Sequence, residues 1–561
     1  MSYYKSYQES AYGRGSYSTG DPVRDLQLER GGGEVSVSSR SGESSTALPS
    51  RSAESVGSAR GEIPEDVCQY LKYFKRCVQE QNVAEIHALY EYGFPDITER
   101  FYRERFWPNE EAVAKVVGED SRIFLILYKE LYFRYVYAKM QRGPSLGQRF
   151  DSYQNYQELF YEILNVKDPI ALDLPNQWLW DIVDEFVYQF QSFCLYKSNP
   201  AKRNPDDLEE LAQIERDVWN LYPVLNILYS LVEKSQINYQ LKAERDGEDP
   251  LDYADEFGQH PLYYKLGYFS LIGLLRIHTL LGDYHQALKV VENAELGPMG
   301  LYNAVPSCLV TLHYFVGFCR MMQRQYQEAI RIFVNCMLFI QRTRNLHQQQ
   351  QQQKAWQYDV ISKTNDQLYH LLAICMVLQP QRIDDSIHSQ LIEKHSDRMS
   401  RMQRGELSEI EAAFQQGCPK FLSPTQSFDA AAGNFSKEPL LQQCRMFMEE
   451  MQQQQPIPIL RGYLKLYTSM PLAKLASFME LPEEELLCQL LAFKHKLWDS
   501  AQITNPDEDT TADLDFYIDK GMIHIADTKV GRRVGEYFIK HIQKLMELNK
   551  NLTKLNVRKA T

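Results

Sequence analysis

Residues 460–497 read LRGYLKLYTSMPLAKLASFMELPEEELLCQLLAFKHKL, and residues 514–526 read LDFYIDKGMIHIA. In the first stretch Leu460, Tyr463, Leu464 and Tyr467 recur at i, i+3, i+4 and i+7, the spacing of one helix face. Ser469 and Pro471 mark a break and a restart, after which Leu472, Leu475, Ala476, Phe478 and Met479 make one broad apolar face. Pro482 opens a third helix, where its missing N–H costs nothing. Glu483, Glu484 and Glu485 occupy its first turn, at the positive end of the helix dipole. Leu486, Leu487, Leu490, Leu491, Phe493 and Leu497 are its expected buried face. The second stretch alternates apolar and polar residues on both sides of Lys520-Gly521, as two half-buried strands joined by a tight turn should. A two-residue turn sets Ile518 opposite Ile523 and Phe516 opposite Ile525, all on one face, and a one-residue slip would scatter them. Three helices and a hairpin are the layout of a winged helix.

Downstream, Val534, Phe538, Ile542, Leu545, Leu548, Leu552 and Leu555 repeat every three or four residues, predicting a long helix from Lys529 to about Leu555. So close to the end of the sequence, such a stripe has little of its own domain to cover, and a partner helix would cover it. Upstream, GDYHQAL (282–288) and RQYQEAI (324–330) share x-Y-x-x-A and follow apolar helices, with Tyr284 and Tyr326 42 residues apart. They read as degenerate tetratricopeptide-like helical hairpins or as two ordinary helix pairs. Either way they form an α-solenoid in which neighbours bury a continuous core. Further towards the N-terminus, 121–140 and 177–196 predict strongly apolar helices, the second apolar around most of its circumference and so buried between neighbours. Val67, Leu71, Phe74 and Val78 open the helical pattern near Ile63. Residues 1–62 are Ser, Gly, Tyr, Arg and Glu without aliphatic periodicity and read as a disordered tail. The Gln run 348–353 reads as a loop insert between helices, and 452–455 is a second Gln run ahead of the winged helix.

The expected fold is all-α: a helical-repeat, TPR-like solenoid, then a winged helix with a small β-hairpin and a C-terminal helix. The expected divisions are a tail at 1–62, an N-terminal helical domain at 63–260, TPR-like repeats at 261–455, the winged helix at 456–527 and the terminal helix and tail at 528–561.

The 561 residues carry a net charge of −13, which argues against non-specific nucleic-acid binding through clustered Lys and Arg. The ten Cys are dispersed without a C-x-x-C, so neither a zinc site nor a disulfide framework is expected, and reduced thiols suit a cytoplasmic protein. The start, MSYYKSYQES, carries no signal-peptide pattern, and runs such as Leu371 to Leu378 are too short to span a bilayer.

The motifs of catalysis are missing: no P-loop, no H-E-x-x-H and no G-x-S-x-G occurs. His278, His285 and His313 read as packing or surface residues, Cys418 as a plain thiol, and Asp384-Asp385 and Asp206-Asp207 as helix starts or loops. No enzyme activity, cofactor, metal or small-molecule substrate is expected. The three glutamates in the first turn of the third winged-helix helix would repel phosphates where a DNA-reading winged helix contacts bases. Lys529, Arg532, Arg533, Lys540 and Lys544 form a modest basic patch, either a solvated helix face or a contact for rRNA or mRNA.

A solenoid running into a winged helix and a terminal helix resembles the PCI domain. The segments FLILYKELYFR (124–134), GPSLGQRF (143–150), PNQWLWDIVDEFVYQFQSF (175–193), LGYFSLIGLLRIHTLLGDYHQAL (266–288), CPKFLSP (418–424), LKLYTSMPLAKLASFM (464–479) and DFYIDKGMIHIADTKV (515–530) resemble the L-subunit family of eukaryotic translation initiation factor three. The resemblance spans about residues 63 to 550 and is far more specific than a short motif. It implies a non-catalytic scaffold in a cytoplasmic assembly on the small ribosomal subunit, beside the K and E subunits, that helps recruit initiator tRNA and mRNA. A scaffold of the proteasome lid or signalosome, or a winged-helix nucleic-acid-binding regulator, are the alternatives. Two protein interfaces are expected. One is the hairpin edge, with Leu514, Phe516, Ile518, Ile523 and Ile525; the other is the terminal stripe, with Phe538, Ile542, Leu545, Leu548, Leu552 and Leu555.

Overall fold

A computed structural model describes residues 63–559, apart from 104, 119–121, 141–142, 200–206, 208–210, 212–217, 295–299, 350–354, 424–434, 505–513 and 527–528. The tail expected at 1–62 and most of the first Gln run lie outside the described residues. Helix α1 (Glu65–Gln79) buries Val67, Leu71, Phe74 and Val78 on the face their spacing predicts. Helices α2 (Arg122–Lys139), α3 (Leu146–Leu164) and α4 (Asn176–Ser198) follow, with α2 and α4 buried on most sides. Ser145 caps the start of α3. Ser145 Oγ accepts from the Gln148 backbone N–H (3.3 Å) and the Gln148 side chain accepts from the Ser145 N–H (3.0 Å), a reciprocal cap that satisfies two exposed donors.

Helix α5 (Leu221–Ser235) lies against α6 (Pro261–Leu281), and Gly267 sets how closely they approach. A Cβ there would stand 1.9 Å from Ser235 Oγ. Two helical hairpins then repeat. Helix α6 turns into α7 (Tyr284–Val290), and α8 (Pro306–Met322) turns into α9 (Tyr326–Gln349). Gly282 (φ 85°) and Arg324 (φ 67°) occupy the same left-handed position at the two turns. Tyr284 and Tyr326 open the second helix of each pair, and Ala287 and Ala329 are fully buried where the helices cross. Helices α10 (Ala355–Leu378), α11 (Asp385–Gln403), α12 (Leu407–Gly417) and α13 (Glu438–Gln454) continue the array. The second Gln run ends α13. One continuous buried cluster runs from Val67 to Met451.

The winged helix has its own core of Leu460, Leu464, Met470, Leu475, Leu486, Leu490, Phe493, Leu514, Phe516 and Ile523. Its order is α14 (Ile457–Leu466), β1 (Ser469–Pro471), α15 (Leu472–Met479), α16 (Glu483–Thr504), β2 (Asp515–Asp519) and β3 (Met522–Ala526). The hairpin register is the expected one, with Phe516 opposite Ile525 and Ile518 opposite Ile523. Lys520 and Gly521 both take positive φ, as a two-residue turn between twisted strands requires.

The structure adds a strand and corrects two side chains. The break at Ser469 and Pro471 is a short antiparallel strand on β3, so the sheet order is β1-β3-β2. Leu491, expected on the buried face, is 50% exposed. Phe478 is 41% exposed and stacks on Tyr463.

One charged joint ties the winged helix to the solenoid. Glu450 on α13 accepts from Lys496 Nζ on α16 (2.7 Å) and lies 3.5 Å from Arg324 Nε at the α8–α9 turn. Helix α17 (Lys529–Lys559) ends the described chain. Among the described residues no helix is long and apolar enough to cross a membrane.

Candidate interaction surfaces

Several interior charges form structural networks. Glu130 on α2 accepts from Arg134 Nε (3.0 Å), from Trp178 Nε1 (3.1 Å) and from the Tyr156 hydroxyl (3.4 Å). Arg134 also donates to the Tyr90 hydroxyl, which donates to Asp181. Burial holds the Asp181 carboxyl up at about 6 against the pull of Arg134. These groups staple α2, α3 and α4, and the neighbouring apolar gap lined by Tyr70, Phe74, Phe94, Phe124 and Trp178 has no room for a water molecule.

The residues weighed for chemistry sit in packing roles. His278 Nε2 is 2.7 Å from the Tyr229 hydroxyl, and His313 Nδ1 is 2.9 Å from the Leu309 carbonyl. Burial lowers the pKa of both rings. His285 is exposed on α7. Burial pushes the Cys418 thiol up to about 12, so it stays protonated at neutral pH. Asp384 caps α11 by accepting from the Ser386 N–H (2.9 Å), and Asp207 accepts from the Tyr196 hydroxyl, while Asp206 lies outside the described residues. No group of three His, Cys, Asp or Glu among the described residues is placed to hold a metal ion.

At the hairpin, the five side chains expected to meet a neighbour turn inward. Leu514, Phe516 and Ile523 are buried in the winged helix's own core, and Ile518 and Ile525 pack against it. Strand β3, which carries Ile523 and Ile525, lies in the middle of the sheet. The reason is the pleat: the alternation that made these residues legible is the alternation of the inner face. Among the described residues β2 is an edge strand, with Tyr517 57% exposed between the exposed Asp515 and Asp519. Lys494 Nζ donates to the Phe516 carbonyl (2.6 Å) and pins β2 to α16.

The terminal stripe stands free. Every residue from Tyr537 to Leu552 is exposed. Phe538, Ile542, Leu545, Leu548 and Leu552, all more than half exposed, make a contiguous apolar face. Lys540 and Lys544 are exposed on the same helix. Lys529, Arg532, Arg533 and Leu555 fall within α17, but their side chains lie outside the described residues. An unpartnered apolar face of this size is the mark of an interaction surface.

A scaffold with two outward surfaces fits many assemblies, and sequence kinship narrows the choice. The family described as RNA polymerase I-associated factor PAF67 matches residues 148–545. A protein of Brugia malayi is 59% identical over 557 residues, covering 96% of this chain and 97% of the relative. A protein of Caenorhabditis elegans is 56% identical over 506 residues, covering 89% and 94%. A human protein is 48% identical over 522 residues, covering 88% and 92%. All three are named eukaryotic translation initiation factor 3 subunit L.

The chain belongs to the translation initiation factor 3 subunit L family.

The family resemblance carried by the sequence segments is thereby borne out. The all-α class is borne out as well, with one small sheet confined to the winged helix. Subunit L relatives are named as subunits of an initiation factor, which is not an enzyme family.

Proposed function

We propose that this chain is a non-catalytic scaffold subunit of a cytoplasmic translation initiation factor 3 complex, supporting preinitiation-complex assembly on the small ribosomal subunit and recruitment of initiator tRNA and mRNA. Its place is beside the K and E subunits, as the PCI resemblance implies. The observation that carries the reading is α17: a helix of 31 residues whose apolar face is bare from Tyr537 to Leu552, in a chain of the subunit L family. Such a face is stable in water only when other helices cover it. The second contact is the edge of β2, which would extend a neighbour's sheet once Lys494 releases the Phe516 carbonyl. The family description that names RNA polymerase I supplies the competing assembly.

The test is Leu545→Asp with Leu552→Asp. Both side chains are exposed, so the chain itself should keep its helicity by circular dichroism. The double variant should lose co-purification with other initiation factor 3 subunits. Stoichiometric co-purification of the variant would contradict the role given to α17.

A further inference from the structure

The distribution of charge around α17 says what kind of helix covers it. At about 100° per residue, Tyr537, Leu548, Leu552, Leu545, Phe538, Ile542, Met546 and Ile539 spread in that order over an arc of roughly 200°, interrupted by the uncharged positions His541 and Asn549. Lysine borders each end of the arc. Lys544 follows about 20° beyond Tyr537, and Lys550 about 20° beyond Ile539. Both are exposed. Lys540 lies on the back of the helix, as does Glu547, the only carboxylate between Tyr537 and Leu552; it stands three residues from both Lys544 and Lys550, and one carboxylate between two lysines leaves the borders net positive. The borders of an apolar seam are the positions that meet a partner helix's borders and set partner choice.

We propose that α17 is built to pair with helices whose seam borders are acidic, and that it rejects a second copy of itself. The proposal rests on the reading of α17 as a docking face and adds the chemistry of the occupant. A second copy of α17 offers lysine, and no carboxylate, at its own seam borders, so it supplies no partner for these charges. Glutamate borders would meet Lys544 and Lys550 on both sides. The full arc needs more than one covering helix, because a two-helix seam occupies a narrower stripe.

The test uses the full chain and two labelled helical peptides with the same leucine seam, one with Glu and one with Lys at the seam borders. By fluorescence anisotropy at about 50 mM salt, the Glu-bordered peptide should bind roughly fivefold or more tightly than the Lys-bordered one, and the ratio should shrink towards one at about 500 mM salt. Lys544→Glu with Lys550→Glu should reverse the order, while Leu545→Asp should weaken both peptides. Equal binding of the two peptides overturns the charge inference and leaves the docking reading standing. No binding of either peptide counts against the docking reading itself. Dimerisation of the free chain that Leu545→Asp abolishes, seen by sedimentation, overturns the rejection of self-pairing. Binding of a single-stranded RNA in preference to both peptides, lost in the double Lys variant, overturns the choice of a helix as occupant.

Discussion

At the residue scale, two positions carry consequences that their neighbours make calculable. Gly267 is held within touching distance of Ser235, where α5 and α6 cross. The backbone of neither helix can retreat without opening the core around Leu266, Leu271 and Leu231. Gly267→Ala should therefore cost about 2–3 kcal/mol through overpacking, read as a lower midpoint in urea with an unchanged slope. A Ser235→Gly change in the same chain should return part of that loss. Glu185 on α4 is the second position. Its Oε1 accepts from Gln189 Nε2 (2.8 Å), while its Oε2 is buried without a partner. Burial pushes its carboxyl well above the ordinary value, against smaller pulls from Gln189 and Arg276. The folded state thus binds more protons than the unfolded chain, and stability falls as pH rises from the unfolded value, about 4.3, towards the folded one. Glu185→Gln keeps the shape and fixes the neutral form. It should match the parent near pH 4.5 and exceed it by a margin that widens as pH rises towards 8, measured by thermal unfolding across that range. A gap that does not widen with pH would contradict this account. Neither effect was legible in the sequence. Gly267 and Ser235 are 32 positions apart, and Glu185 reads there as one more polar residue on an apolar helix.

At the element scale, what could be read follows from periodicity. The hairpin was legible because its side chains alternate with period two about Lys520-Gly521, and only one register keeps four apolar residues on one face. α17 was legible because its stripe repeats every three or four residues over many turns. β1 was not, because three residues including a proline carry no period, and the pairing to β3 bridges more than fifty positions. Leu491 and Phe478 were misplaced because a helix with apolar residues around much of its surface gives no sign of which leucine faces out. The burial of the hairpin's expected contact residues has the same root: the pattern that reveals a strand is the pattern of its inner face.

The Glu450–Lys496–Arg324 joint could not be read either, since its members come from three distant elements. Glu450 and Lys496 are largely shielded from solvent while Arg324 is half exposed, so removing Lys496 leaves Glu450 poorly compensated. Lys496→Met should loosen the winged helix on the solenoid by about 1–3 kcal/mol. Amide exchange should accelerate in α14, α15 and α16 while α5 and α6 stay protected. Uniform acceleration throughout the chain would mean that the joint supports the whole fold instead.

At the scale of the whole molecule, the division of labour is plain. A long helical array has one continuous core, and the winged helix, with its own small core, supplies a sheet flank ahead of α17. The interior spends its charges on internal staples, and the outward features are a strand flank and a bare helix. Those are features of a part made to be assembled, and the subunit L relatives, at 48–59% identity over most of the chain, are named as parts of an initiation factor. The measurement that tests this most directly is purification of the tagged chain from cell extract at moderate salt, with quantitative mass spectrometry of what accompanies it. Other initiation factor 3 subunits in equal amounts, together with small-subunit ribosomal proteins, are the predicted result. RNA polymerase I, proteasome-lid or signalosome subunits in their place, or a chain recovered alone, would contradict it.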